Sequence, residues 1–108
     1  MEDVYIRNSK IMSALSTPMR LQIVDMLSCG ELCASEIKDV FSTTQPTMSY
    51  HMKLLVDAGI VLMRNEGKYV FYSLNNEYMK KFFQDIQKIA SPKENCICHS
   101  IPTGECRR

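Results

Sequence analysis

Three cysteines and a histidine lie close together near the end of the 108-residue sequence, in the segment CICHSIPTGEC. One residue separates Cys96 from Cys98, so both thiolates can bind one soft ion, and the Pro-Gly stretch lets Cys106 return to it. Three sulfur ligands without an oxygen ligand suit trivalent arsenic or antimony. With His99 added, the segment also suits tetrahedral zinc or cadmium. The tail therefore predicts a site for a thiophilic metal or metalloid.

The same thiols support a second interpretation, in which two of them form a disulfide or persulfide bridge. The chain has five cysteines, an odd number that cannot pair completely within one molecule. Exposed cysteines of low pKa serve a redox or sulfide sensor as well as a metal sensor. In a reducing compartment both uses are favoured over structural disulfides. The residues alone leave these two interpretations open.

A second group of residues with chemical potential follows Thr44, in the stretch QPTMSYHMKLLVDAG. Its apolar residues recur at helical spacing and predict one buried face, formed by Met48, Met52 and Leu55. The outward face and its flanks carry Gln45, Thr47, Ser49, Tyr50 and Lys53. Glutamine can pair with adenine, hydroxyls can bond to bases or phosphates, and lysine neutralises phosphate. We therefore expect this helix to enter the major groove of double-stranded DNA.

His51 lies on the same helix and has no second metal ligand at helical spacing. We expect a structural or phosphate-contacting role for it rather than metal binding.

Cys29 stands near the end of an amphipathic stretch, and we expect it to be a small buried residue.

Hydrophobic spacing and turn residues predict the elements that position these groups. We expect a first helix ending at Leu15, a second beginning at Thr17-Pro18, a third over ELCASEIKDVF, a fourth from Thr44 to Gly59, and a last helix ending near Ser91-Pro92. The apolar side of the first helix is expected to consist of Val4, Ile6, Ile11, Met12 and Leu15. In the third helix, the residues expected to point inward are Ile37, Val40 and Phe41.

Between the fourth and last helices, the β-prone runs IVLMR and KYVFYSL flank the reversal NEG and predict a hairpin. A helix-turn-helix followed by a hairpin is a winged helix-turn-helix, so the fold class is mainly α with a small β part (α+β). Arg64 and Lys68 of this wing are expected beside the minor groove or the DNA backbone.

Length and composition restrict the classes of function. We expect one domain at residues 1–92 and a cysteine-rich tail at residues 93–108. The net charge is only +1, so any DNA-binding surface must be local. The sequence contains neither a membrane-spanning run nor a secretory signal, which predicts a cytoplasmic protein. The two histidines have no nucleophile and carboxylate arranged around them, which argues against an enzyme.

The motifs ALSTPMRLQIVDML, ELCASEI, TTQPTMSYHMKLLVDAGIV and RNEGKYVFYSL together resemble the ArsR/SmtB family of bacterial metal-sensing repressors. The resemblance spans about sixty residues, from Ile11 to Leu74. It implies a homodimer joined through the first and last helices, with an inducer that lowers affinity for operator DNA. In the family's pattern, the recognition helix includes Thr44, Gln45, Thr47, Ser49, Tyr50 and His51.

The resemblance also bears on the ligand set. The family's ELC-x-C element supplies two thiolates in arsenic, lead and cadmium sensors, and here Cys33 is present while Ser35 replaces the second cysteine. Cys33 either joins the tail cluster or has a packing role, and we favour packing. The last helix carries Asp85 but no histidine, so the family's interfacial zinc site and its nickel or cobalt counterpart are not expected.

These observations predict a repressor released from DNA by arsenite or antimonite at Cys96, Cys98 and Cys106, with His99 and Cys33 as possible further ligands. Metalloid capture would order the tail against the dimer helices and change the spacing of the two recognition helices. The alternatives are a repressor responding to zinc, cadmium or lead, a thiol redox or persulfide sensor, an unregulated DNA-binding module, and a protein-interaction module that uses the aromatic last helix.

Overall fold

The computed structural model describes residues 3–95 and 97–101. Its elements in chain order are α1 (Val4–Ala14), α2 (Pro18–Leu27), β1 (Leu32–Cys33), α3 (Ala34–Val40), α4 (Gln45–Asp57), β2 (Val61–Glu66), β3 (Tyr69–Leu74), α5 (Asn76–Ala90) and a 3-10 turn (Ile97–Ser100). The predicted order of five helices with a hairpin before the last one is confirmed. Within the described ranges, no helix has the length and apolar character needed to cross a membrane.

Two helices begin in the way the sequence predicts. The Thr17 hydroxyl oxygen accepts a hydrogen bond from the backbone N–H of Arg20 at 3.2 Å, and Pro18 occupies the first turn of α2. The Thr44 hydroxyl oxygen accepts from the Thr47 N–H at 3.3 Å at the start of α4. These hydroxyls satisfy backbone N–H groups that have no partner inside the helix. The start of α4 is therefore fixed by Thr44, as the start of α2 is by Thr17.

The wing is a sheet of three antiparallel strands in the order β1-β3-β2. β2 and β3 form the predicted hairpin, and Gly67 makes its turn with a φ of +60°. β1 pairs with the other edge of β3, with Cys33 opposite Phe71. β1 was not predicted, and the predicted start of α3 at Glu31 lies too early. The N–H of Cys33 donates to the Glu36 carboxylate at 2.8 Å, so Cys33 precedes α3 as its cap.

The hydrophobic core lies between the five helices and the base of the wing. Its fully buried side chains include Ile23, Ile37, Leu55, Ile60 and Val61, each at most 1% exposed. Met48 and Met52 are both 2% exposed and extend the core along α4. The buried face predicted for α4 is therefore confirmed.

Three apolar side chains and one cysteine lie on the surface of the chain. Ile6 is 65% and Met12 is 47% exposed, because within this chain α1 packs mainly on α5 and buries only its Asn8, Ile11 and Ala14 face. Val40 is 55% exposed because the seven-residue helix α3 buries Ile37 alone. Cys29 is exposed as well, since α2 ends at Leu27, two residues before it. The buried positions predicted for Val40 and Cys29 are therefore wrong, and the apolar side predicted for the first helix is only partly buried within one chain.

Helices α1 and α5 are joined by a largely buried polar contact. Arg7 Nη2 donates to Asp85 Oδ2 at 2.6 Å, and Asn8 Nδ2 donates to the same oxygen at 3.1 Å. Asn8 is 2% exposed and also donates to the Val4 carbonyl at 2.7 Å. The hydrogen bond from Arg7, followed by that from Asn8, holds the pKa of Asp85 below its ordinary value of 3.8.

This lowered pKa predicts the acid sensitivity of the α1–α5 contact. Asp85 contributes its full stabilisation above its ordinary pKa of 3.8 and loses it as the pH falls through the lowered folded-state pKa. Urea unfolding at several pH values should show an Asp85→Asn variant that is less stable than wild type at neutral pH. The two proteins should converge as the pH falls below 3.8 and through the lowered pKa of Asp85. An equal loss from Asp39→Asn, an exposed carboxylate of α3, would argue against a specific role for Asp85.

Alanine substitutions at Gly59 and Gly67 should differ in how much they destabilise the protein. Its φ is +85°, and an added Cβ would lie 2.8 Å from Cε2 of Tyr78. Gly67 has a φ of +60° but open space around an added Cβ. We expect thermal unfolding to show that Gly67→Ala costs about 1 to 2 kcal/mol, the conformational cost alone. Gly59→Ala should cost more, because Tyr78 must also move. Equal costs would show that the Tyr78 contact has no influence on stability.

Candidate nucleic-acid interface

The polar face of α4 is open to solvent along its length. Five predicted DNA-contacting residues of this helix are exposed: Gln45, Thr47, Ser49, Tyr50 and Lys53. Tyr50 is 59% exposed, although it is one of the largest side chains of the helix. Because the opposite face is buried, rotation of the helix about its own axis is prevented. The structure thus brings these five side chains together on one exposed surface.

The first turn of α4 is ordered by its own hydroxyls. Thr44 is exposed at the cap, and its hydroxyl donates to the Thr47 hydroxyl oxygen at 3.0 Å. The positive end of a helix dipole favours a negatively charged group such as a phosphate. Gln45 is the first residue of α4. It lies at the end of the helix at which recognition helices commonly contact bases.

Lys53 forms an exposed ion pair with Asp57, with its Nζ atom 2.9 Å from the Asp57 Oδ2 atom. The two side chains are 73% and 53% exposed. Exposed pairs of this kind contribute at most about 1 kcal/mol, so a phosphate can replace Asp57 as the partner. Asp57 lies in the last turn of α4, where it would repel a DNA backbone. The N-terminal and central part of the exposed face of α4 is therefore the part that is compatible with a DNA backbone.

His51 is the one predicted site residue of α4 that is turned toward the protein. It is half-buried, and Arg20 Nη1 lies 3.0 Å from its Nδ1 atom. Since a guanidinium can only donate, Nδ1 accepts and the proton of the neutral ring is on Nε2. Burial, followed by the positive charge of Arg20, lowers the pKa of His51 from its ordinary value of 6.5.

The two cationic residues predicted on the wing have different surroundings. Arg64 donates to both carboxylate oxygens of Glu31, at 3.0 and 2.8 Å, and also to Glu66. Its guanidinium lies 4.5 Å from the centre of the Phe71 ring. These carboxylates raise the pKa of Arg64 further above its ordinary value. Lys68 is exposed beside the hairpin turn, with its Nζ atom 5.5 Å from the centre of the Tyr69 ring.

Glu31 is not among the predicted site residues, although it binds Arg64, one of the predicted DNA contacts. The pKa of Glu31 is lowered mainly by its hydrogen bond with Arg64. The sequence carries no local signal for this pair, because 33 positions separate the two residues. Their approach depends on β1 joining the edge of β3, which periodicity does not predict.

The predicted metal ligands are described only in part. Cys98 and His99 are exposed in the 3-10 turn, whereas Cys96 and Cys106 lie outside the described residues. Cys33 is half-buried at the start of α3, and its Sγ atom lies 3.2 Å from the Ser35 hydroxyl oxygen. Across 3–95 and 97–101, no three His, Cys, Asp or Glu side chains form a group able to hold a metal ion.

Comparison with known proteins gives a consistent family. A profile described as a helix-turn-helix domain matches residues 15–64. The arsenical resistance operon repressor of Staphylococcus xylosus is 42% identical over 94% of this chain and 98% of that protein. The cadmium resistance transcriptional regulatory protein CadC homolog of Staphylococcus aureus is 38% identical over 70% of this chain and 64% of that protein.

A solved structure agrees with both the element order and the sequence matches. The homodimeric winged helix-turn-helix DNA-binding domain Mb0332 from Mycobacterium bovis superposes with a TM-score of 0.67 at 28% identity, covering 81% of each chain. Its description as a possible ArsR-family regulator is consistent with the family of the sequence relatives. The chain belongs to the ArsR/SmtB family of DNA-binding winged-helix transcriptional repressors, which are not enzymes.

Proposed function

We propose that this chain is a cytoplasmic, homodimeric repressor of an arsenical-resistance operon, which leaves its operator when As(III) or Sb(III) binds to the cysteines of the tail. The observation that carries the proposal is the 42% identity with an arsenical resistance operon repressor across 98% of that protein's length. The solvent-exposed face of α4 provides the surface that the proposal requires for DNA.

The proposed DNA contacts divide between base recognition and backbone binding. Gln45 and Ser49 read base edges in the major groove, while Thr44, Thr47, Tyr50 and Lys53 bind the flanking backbone or pack on thymine methyl groups. On the wing, Lys68 makes the principal phosphate contact. Arg64 contributes less, because Glu31 and Glu66 already neutralise it. His51 contributes through its Nε2–H group or by holding the helix in place.

The proposed dimer uses the outer faces of α1 and α5. Ile6 and Met12 on α1 are 65% and 47% exposed, and Phe83 and Ile89 on α5 are 62% and 42% exposed. Exposed apolar side chains grouped on neighbouring helices are typical of an association surface. The homodimeric state of the similar Mycobacterium bovis domain supports the same use here.

The proposed inducer site consists of Cys96, Cys98 and Cys106, with His99 and Cys33 as possible further ligands. Three thiolates match the sulfur-rich bonding of trivalent arsenic, and the exposed position of Cys98 permits access from solvent. Cadmium is the second candidate, since a cadmium-resistance regulator is also similar to this chain. Zinc, lead and thiol oxidation remain alternatives that the same cysteines can serve.

Lys68 and Arg64 of the wing should contribute differently to the salt dependence of DNA binding. Lys68→Ala should lower the number of counterions released on DNA binding by about one, because Lys68 neutralises one phosphate. Arg64→Ala should change this number less, since the protein's own carboxylates already neutralise Arg64. The measurement is the slope of log affinity against log salt concentration on one duplex. A larger change for Arg64→Ala than for Lys68→Ala would reject the proposed wing contacts.

The base-reading role of Gln45 predicts a change in specificity. Gln45→Ala should weaken binding to a selected duplex by about 1 to 3 kcal/mol, and the loss should be confined to duplexes that retain the base pair Gln45 reads. The measurement is binding to a series of duplexes with single base-pair changes. A uniform loss on every duplex would assign Gln45 to the backbone instead of the bases.

The inducer site predicts a selective loss of response. Arsenite should release the wild-type protein from DNA but should not release a variant carrying Cys96→Ser, Cys98→Ser and Cys106→Ser. Cys29→Ser is the matched control, because Cys29 is exposed but lies outside the proposed cluster. Fluorescence anisotropy of labelled duplex with arsenite, cadmium and zinc would measure release. Release of the triple variant by arsenite at wild-type concentrations would exclude this site.

A further inference from the structure

Arg20 of α2 is a buried arginine whose side-chain hydrogen bonds go to uncharged groups. It is 8% exposed, and the ion pairs found among the described residues do not include it. Its Nε atom donates to the Ala14 carbonyl at 2.7 Å, and its Nη1 atom lies 3.0 Å from Nδ1 of His51. A buried cation is costly unless its hydrogen bonds are well made. Both bonds therefore strongly constrain the groups that they join.

These two bonds connect three helices through one side chain. Ala14 is the last residue of α1, and its carbonyl lies at the end of a helix where backbone carbonyls have no partner inside the helix. A positive charge at this end also complements the helix dipole. His51 lies near the middle of α4, one position from the exposed Tyr50. The guanidinium thus joins the end of α1 to the centre of the DNA-reading helix.

We infer that Arg20 is a positioning residue for DNA recognition, which holds α4 at a fixed place relative to α1 by bonding Ala14 and His51 simultaneously. This role rests on the proposed DNA-binding function. Because α1 is part of the proposed dimer surface, movement of α1 on inducer binding is transmitted to α4 through the same guanidinium. Two recognition helices must lie about one duplex turn, ~34 Å, apart, so small displacements lower affinity.

The bond requires a neutral His51, because an imidazolium has no lone pair to accept from Arg20. The charged and titratable groups around the ring come from three helices. Arg20 of α2 contacts the ring, and Lys10 of α1, with Tyr50 and Asp57 of α4, lines the adjoining groove of about 650 Å³. Asp57 is paired with Lys53. The closest charge to His51 is therefore positive, which opposes its protonation.

The Arg20–His51 hydrogen bond should make DNA binding weaker at low pH. Burial and Arg20 lower the pKa of His51 below 6.5, so the Arg20–His51 bond is intact above that pH. The bond is lost as the pH falls through the lowered pKa, because protonation places two cations in contact. DNA affinity should fall over the same pH range in which the His51 ring protonates.

The test compares two amides at position 51. His51→Asn places an acceptor oxygen near the position of Nδ1, whereas His51→Gln places its polar group nearer to Nε2. Affinity is measured by anisotropy on a duplex that the wild-type protein selects from a random-sequence pool. We expect His51→Asn to bind about tenfold more tightly than His51→Gln at pH 7.5. Arg20→Lys, which retains the charge but cannot make both bonds, should also lose about tenfold relative to wild type.

Further measurements distinguish a positioning role of Arg20 from a general effect on the stability of the protein. NMR of the wild-type ring nitrogens should show the Nε2–H tautomer, and the affinity of wild type for the duplex should titrate with the His51 ring signals. Thermal unfolding and sedimentation should show that the variants remain folded dimers. Equal affinities for both amide variants, with a wild-type affinity that does not follow His51 protonation, would overturn the role of Arg20. A wild-type protein that selects no duplex at low salt would instead overturn the DNA-binding proposal, and the role of Arg20 with it.

Discussion

The burial of one face of α4 is the constraint on which the rest of the structure depends. Met48, Met52 and Leu55 lie at helical spacing and are almost completely removed from water, so the opposite face must point outward. Each such side chain contributes about 1.5 to 3 kcal/mol by burial. That energy holds the polar residues of α4 in one orientation before any DNA is present. A preorganised surface loses less entropy when it binds.

Three arginines connect the helices and strands around this core. Arg7 joins α1 to α5, Arg20 joins α1 and α2 to α4, and Arg64 joins the wing to the segment before β1. The chain has a net charge of only +1, and these three arginines already make contacts within the protein. Exposed lysines such as Lys68 therefore carry much of the charge available to phosphates. We expect modest electrostatic attraction and a correspondingly large share of specificity from α4.

Much of this arrangement follows from local sequence signals. The caps at Thr17 and Thr44, the hairpin turn at Gly67 and the buried face of α4 each depend on residues within one or two turns, and each was predicted. Contacts between distant residues were not predicted. β1 and the Glu31–Arg64 pair depend on strand pairing across 33 positions or more, and the exposed positions of Ile6 and Met12 depend on how few neighbours α1 has within one chain. The family resemblance identified His51, but only tertiary packing brings Arg20 to its ring.

The proposed repressor function depends on α4 being the part of the chain that meets the duplex. NMR spectra of isotope-labelled wild-type protein, recorded during titration with a selected operator duplex and then with salt, test this most directly. We expect salt-reversible shift changes centred on residues 44–53 and 67–69, with the buried core unaffected. Changes centred on α5, with residues 44–53 unchanged at saturating DNA, would contradict it.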